Sequence, residues 1–192
     1  MRKDLGVAPA VYPMPVLMIA TYDENGVVDV MNAAWGMVCE SDKLTLALSE
    51  SHKTVKNIKI NKAFTVSLAD VKTIKAADYF GIASGNDTPD KFERTGLTAV
   101  KSERVNAPII EEFPLTFECE LAEIVKTENF RSVVGRIVNV SVDESVLGAD
   151  GKLDVDKAGI LIFNQFDRGY YVTGEKVGKA WNAGAALMKK NQ

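Results

Sequence analysis

The chain of 192 residues is 46% hydrophobic and 26% charged, proportions that suit one globular domain with a full core. A formal net charge of −3 argues against nucleic acid as the main partner, because phosphate backbones need a basic face. Two cysteines, Cys39 and Cys119, with no CxxC spacing, and a single histidine, His52, are too few ligands for a zinc or iron–sulfur centre, so no metal site is expected.

Met1-Arg2-Lys3 is followed by Asp4 and Gly6 instead of an apolar run, and the apolar stretch 16–20 is too short for a signal core or a membrane span. The expectation is a cytoplasmic chain that does not use a membrane, with both cysteines as buried, reduced thiols. Residues 16–22 are apolar and β-rich, Asp23-Glu24-Asn25-Gly26 is a hairpin turn, and residues 27–31 return as the partner strand. Residues 44–48 alternate Leu, Thr, Leu, Ala, Leu, the pattern of a strand buried mainly on one face. Residues 54–61 set Val55, Ile58 and, less regularly, Ile60 among lysines, which predicts a short amphipathic helix with Thr54 near its start.

Another strand is expected over 63–69 and a helix over 73–80. Residues 81–88, rich in Gly, Ser, Asn and Asp, read as a loop. A short helix is expected over 89–94, with Thr88 as N-cap and Gly96 ending it. Strands follow over 115–125, with Phe117, Cys119 and Leu121 on one side and Glu118 and Glu120 on the other, and over 133–142. Residues 148–151 form a turn, 159–166 and 170–173 are the last strands, and a terminal helix is expected over 179–190. Many strands with a few short helices in the connections predict a mainly β, α+β fold and a closed or partly closed barrel in one domain over 1–192.

Several known site patterns are absent or broken. No G-x-G-x-x-G follows a strand, and no G-x-S-x-G elbow occurs. The run from Gly174 to Ala180 is one residue short of a P-loop between its glycines and lacks the hydroxyl that holds magnesium.

Three segments carry chemistry. In Met31-Asn32-Ala33-Ala34-Trp35-Gly36, small residues let the main chain approach a flat ligand, and N–H groups with the Asn32 amide meet its polar edge. The same stretch reads equally as a strand end with a core tryptophan, and periodicity alone favours that. In Leu48-Ser49-Glu50-Ser51-His52-Lys53-Thr54, hydroxyls, a cation and free N–H groups at a helix start form an anion site; an ordinary capped helix is the competing reading. In Ser84-Gly85-Asn86-Asp87-Thr88-Pro89-Asp90-Lys91-Phe92, Lys91 sits in a first helical turn, where the dipole favours anions. That placement suits a lysine reaching a phosphate, or a plain surface lysine.

The order of Asn32-Ala33-Ala34-Trp35, Ser51-x-x-Thr54, Ala77-Asp78-Tyr79, Ser84-Gly85 and Asp90-Lys91-Phe92 resembles the flavin reductase-like FMN-binding domain, and within it the flavoredoxin branch. Asn106-Ala107-Pro108-Ile109, Glu118-Cys119, Gly135-Arg136-Ile137-Val138 and Tyr170-Tyr171 with Gly174-Glu175 continue the resemblance over nearly the whole chain.

The resemblance implies a split β-barrel homodimer with FMN near the subunit interface. It implies that Asn32, Ala33 and Ala34 meet the isoalloxazine edge and that Leu48, Ser49 and Thr54 line the ribityl and phosphate path, with Met31, Trp35, Ser51 and His52 also among the FMN-binding residues. Ser84 and Gly85 would add donors, Lys91 would pair with the phosphate, and Phe163 or Phe166 would cover the ring. His52 and Lys53 stand where the family often has an arginine, and Asn164-Gln165-Phe166-Asp167-Arg168-Gly169 replaces a Gly-rich stretch. The implied activity is an NAD(P)H-dependent flavin reductase, with NADH or NADPH reducing FMN and no catalytic side chain required. The alternative is a non-enzymatic FMN electron carrier that docks a redox protein.

Overall fold

The computed structural model describes residues 1–9 and 11–188. Among these, twelve strands occur in chain order: β1 (Met14–Pro15), β2 (Leu17–Tyr22), β3 (Val28–Ala33), β4 (Gly36–Glu40), β5 (Lys43–Leu48), β6 (Ala63–Leu68), β7 (Ala99–Lys101), β8 (Pro108–Ile110), β9 (Leu115–Lys126), β10 (Arg131–Val142), β11 (Leu161–Asn164) and β12 (Gly169–Val172). Three α-helices accompany them: α1 (Lys53–Asn61), α2 (Ile74–Ile82) and α3 (Val155–Ala158). The mainly β arrangement with short helices read from the sequence is the one observed.

Seven strands form one antiparallel sheet in the order β3-β2-β6-β9-β10-β5-β4. β3 and β4 are joined by only Ala34 and Trp35, yet they are the two ends of this order. The sheet therefore curls until its edges come together at that link, and the barrel is split there. β1, β11 and β12 form a smaller sheet, and β7 and β8 a hairpin.

β2 explains why its sequence is apolar without a break. Leu17 and Ile19 face the barrel interior with Leu44, Leu46, Leu48, Phe64, Val66 and Val133. Met18 and Ala20 face the opposite layer with Val30, Phe80, Ile110 and Leu161. A strand covered on both faces has no solvent side to alternate with. α1 closes one end of the barrel by burying Val55 and Ile58, and Lys62 ends it in the left-handed conformation at φ 56°. Gly135 is required at its place on β10, since a Cβ there would lie 2.4 Å from the Phe64 ring.

The structure differs from the sequence reading at several points. Residues 36–40, unassigned by pattern, form β4, an edge strand whose exposed Met37 and Val38 hide any alternation. The helix expected over 89–94 is a set of turns leading into a 3-10 helix, Glu93–Thr95, ended by Gly96 at φ 69°. One short turn gains too few hydrogen bonds to repay helix nucleation.

Residues 155–158 are α3, capped by the Asp154 carboxylate and ended by Gly159, so the strand placed over 159–166 is shortened to β11. Glu118, on the side of the strand opposite Phe117 and Cys119, is buried as well, and Ser102 and Asn139 hydrogen-bond its carboxylate.

In place of the terminal helix over 179–190, the described residues form turns and a 3-10 helix, Ala185–Met188; positions 189 and 190 lie outside the described residues. Trp181, Leu187 and Met188 are exposed there, so none of these three packs to support a regular helix. Cys119 is buried as expected, whereas Cys39 on edge strand β4 is exposed.

Candidate functional site

β3, the N-terminus of α1 and the loop after α2 converge on one cleft. Its volume is about 140 Å³, and its walls include Asp29, Met31, His52, Thr54, Ser84 and Gly85, together with Lys53 and the 81–83 segment. The hairpin turn after β2 fixes β3 in register, with Thr21 opposite Asp29, and α1 docks against both strands. The loop over 84–88 is stitched to the helix start by Asn86: its amide donates to the Ser51 carbonyl at 3.0 Å, and its oxygen accepts from Lys56 Nζ at 3.0 Å.

The centre of the cleft is electrostatic. Asp29, almost fully buried on β3, accepts from the Thr54 hydroxyl at 2.8 Å, and its other oxygen lies 3.1 Å from Lys91 Nζ. Thr54 thus spends its hydroxyl on a neighbouring strand instead of capping α1. Lys91 also donates to the Ala83 carbonyl at 3.4 Å. Lys53 pairs with Asp23 at 3.2 Å.

His52 is the N-cap residue of α1, and its Nδ1 is buried with no hydrogen-bond partner among the described residues. Burial and then the nearby Lys91 cation push the imidazole below its ordinary value, with Asp29 partly opposing them. Gly85 packs its backbone against Asp29; a Cβ there would stand 2.1 Å from the carboxylate oxygen.

The candidate residues separate into distinct environments. Met31, His52, Thr54, Ser84 and Gly85 share the cleft, with Lys91 just behind Asp29. Ser49 and Ser51 bond one another at 2.9 Å on the exposed loop before α1, and Glu50 between them is tied to Lys59 and Arg131. Leu48 is buried in the barrel core. The Asn32 amide, read as a ligand contact, donates to the Ala77 carbonyl at 2.9 Å and reaches the Tyr170 hydroxyl at 3.5 Å, fastening β3 to α2 and β12.

Ala33 packs on the barrel core, while Ala34 and Trp35 line a separate apolar groove of about 450 Å³ with Pro9, Val11, Pro13 and Met37. Trp35 is 39% exposed, with its ring 5.2 Å from Phe130, so it is not a core tryptophan. Phe163 packs at the edge of the second core with Tyr170, and Phe166 is 62% exposed at the β11–β12 turn.

Sequence reasoning missed Asp29. Asp29 did carry a signal, as a lone acid inside the apolar strand Val28-Asp29-Val30, where an unpaired charge is costly.

Comparison with known proteins agrees with the fold. The family model described as "Flavin reductase like domain" matches residues 10–171. The flavoredoxin of Desulfovibrio vulgaris (Miyazaki F) is 37% identical, superposes with a TM-score of 0.91, and the match covers 96% of this chain and 100% of that one. A split-barrel protein of Shewanella frigidimarina has a TM-score of 0.76 at 22% identity, over 86% of this chain and 84% of that one. An FMN-binding protein of Thermus thermophilus has a TM-score of 0.76 at 19% identity, over 93% and 98%. The fold is thus the split β-barrel.

Proposed function

The chain belongs to the flavin reductase-like domain family, on its flavoredoxin branch, and from that membership we propose that it holds FMN at the Asp29–His52–Gly85 cleft and passes electrons through it. The observation that carries the placement is the orphaned, buried Nδ1 of His52, a residue that lines a cleft at a helix start. A buried polar atom without a partner is costly unless a ligand supplies one.

The residues present fit the polar part of FMN. At the start of α1 the Val55 and Lys56 N–H groups already bond the His52 carbonyl, which leaves those of Lys53 and Thr54, and an anion is stabilised at such a helix start. Ser49, Ser51 and Ser84 offer hydroxyls beside them, and Gly85 lets the loop main chain lie close to the wall. Thr54 and Lys91 complete the phosphate end, held in place by Asp29. Asn32 acts through the scaffold: it fixes the β3 main chain, whose following residues Ala33, Ala34 and Trp35 lead to the apolar groove where the ring system belongs. Trp35 lines that groove, and Phe163 or Phe166 is the proposed cover of the ring.

Bound FMN supplies the redox chemistry, taking electrons from a donor and handing them on, and the protein contributes binding, orientation and electrostatics. NADH or NADPH is the proposed donor. The second reading is a carrier without its own nicotinamide activity that docks a redox protein; it is favoured by the 37% identity to a protein named flavoredoxin. A cytoplasmic homodimer is part of both readings. Its support is the exposed apolar surface at Trp35, Met37 and Val38 around the split in the barrel.

The test is the visible spectrum of the freshly purified protein, followed by FMN uptake by the flavin-free form. Yellow protein, or quenching of added FMN fluorescence, is the expected result. A colourless protein that takes up no FMN removes the reading. Anaerobic mixing with NADH or NADPH then separates the two versions: rapid bleaching marks a reductase, and no bleaching by either marks a carrier.

A further inference from the structure

Both lysines at the cleft, Lys53 and Lys91, are already paired with acids, Asp23 and Asp29. The two pairs differ in depth. Lys53 and Asp23 keep partial contact with solvent, whereas the side chains of Lys91 and Asp29 are each 3% exposed. Asp29 lines the cleft, and Lys91 stands behind it. A ligand in the cleft meets the Asp29 carboxylate and the Lys53 ammonium at its walls, whereas Lys91 is not part of the lining.

We propose that Asp29 is a specificity-determining residue that weakens the hold on the flavin phosphate by competing with it for Lys91 and Thr54. This inference rests on the FMN reading above. The ammonium has three N–H donors, and two of them are directed at Asp29 and the Ala83 carbonyl. The Thr54 hydroxyl has one proton, and Asp29 takes it. A phosphate arriving at this end shares what Asp29 leaves and stands near a like charge. In a buried setting, opposite and like charges are screened far less than at the surface.

The same carboxylate keeps Lys91 and Thr54 in place without a ligand, so the site is organised in advance but only partly available to an anion. Exchangeable FMN, with a modest preference over its phosphate-free counterpart riboflavin, is the consequence. Gly85 supports the arrangement, because any side chain there would displace the Asp29 carboxylate.

The experiment is a pair of fluorescence-quenching titrations of flavin-free protein, with FMN and with riboflavin, on wild type, Asp29→Asn, and the double variant Asp29→Asn with Lys91→Met. In Asp29→Asn the preference for FMN over riboflavin should rise about tenfold, equivalent to about 1.4 kcal/mol. In the double variant, which removes both charges, the preference should return to within about threefold of wild type, because opposing influences on the phosphate leave together.

An Asp29→Asn protein that folds and shows no gain in FMN preference overturns the proposal. If that variant fails to fold, the double variant decides: loss of its FMN preference shows that Asp29 had not been opposing the phosphate. Wild-type protein that binds neither flavin refutes the FMN reading itself, an outcome distinct from either of these.

Discussion

The Lys91 ammonium lies 3.1 Å from the Asp29 carboxylate, and Thr54 donates to the other oxygen of the same group at 2.8 Å. Two residues that the sequence assigned separately to a phosphate are thus joined through a third, on β3, that the sequence reading passed over. The joining gives each substitution two effects, one on the fold and one on the ligand.

Lys91→Ala leaves the buried Asp29 without its cation and should destabilise the fold by about 3–5 kcal/mol. Thr54→Ala removes a hydrogen bond to a charged group and should cost about 1–3 kcal/mol. Each should also weaken FMN binding by about 1–3 kcal/mol through lost phosphate contacts. Urea unfolding gives the first effect, and FMN titration at a temperature where the variants stay folded gives the second. Flavin affinities equal to wild type in both variants would show that the phosphate lies elsewhere.

Gly85→Ala places a methyl group 2.1 Å from the Asp29 oxygen, a distance that forces the loop or the carboxylate to move. Overpacking of this kind costs about 1–3 kcal/mol. Because the loop also carries Ser84 and is bound to the start of α1 through Asn86, FMN affinity should fall alongside stability. A variant with unaltered melting temperature and unaltered FMN binding would mean that the loop does not pack as described.

His52 gives stability a pH dependence. Burial and the Lys91 cation lower its folded-state value below the ordinary 6.5. The unfolded chain therefore takes up the proton first, and protonation favours unfolding. The contribution is intact above pH 6.5 and is lost as pH falls from there through the depressed folded-state value. His52→Gln should flatten the fall of the urea midpoint between about pH 7 and 5 relative to wild type. Identical slopes for the two proteins would show that His52 titrates as it does in an unfolded chain.

The two thiols should differ sharply. Cys39 is exposed on β4, whereas Cys119 is fully buried and desolvation pushes its thiol up to about 12. A disulfide reagent should titrate Cys39 alone in the native protein and both thiols in denaturant. Cys39→Ser should show no native reaction, and fast native reaction of that variant would place Cys119 within reach of solvent.

The sequence by itself determined the elements with a local cause. The Asp23-Glu24-Asn25-Gly26 turn set the β2–β3 hairpin, and Val55 with Ile58 among lysines set α1. The ordered motifs around Asn32, Thr54 and Lys91 identified the family, because they lie in main-chain segments whose order along the chain is itself the signal.

The structure decided what those side chains touch. Asp29 meets Thr54 across 25 positions and Lys91 across 62, and only the curling of β3 against α1 and the loop after α2 brings the three together. Asn32 likewise finds its acceptor, Ala77, 45 positions away, a tie between β3 and α2 that no local pattern records. Edge strand β4 and the C-terminal segment escaped local reading for the opposite reason: too little is packed against them within one chain to impose a period on their residues. Patterns record what a segment buries against its neighbours, whereas the charge balance of a cleft depends on partners that the chain supplies from afar.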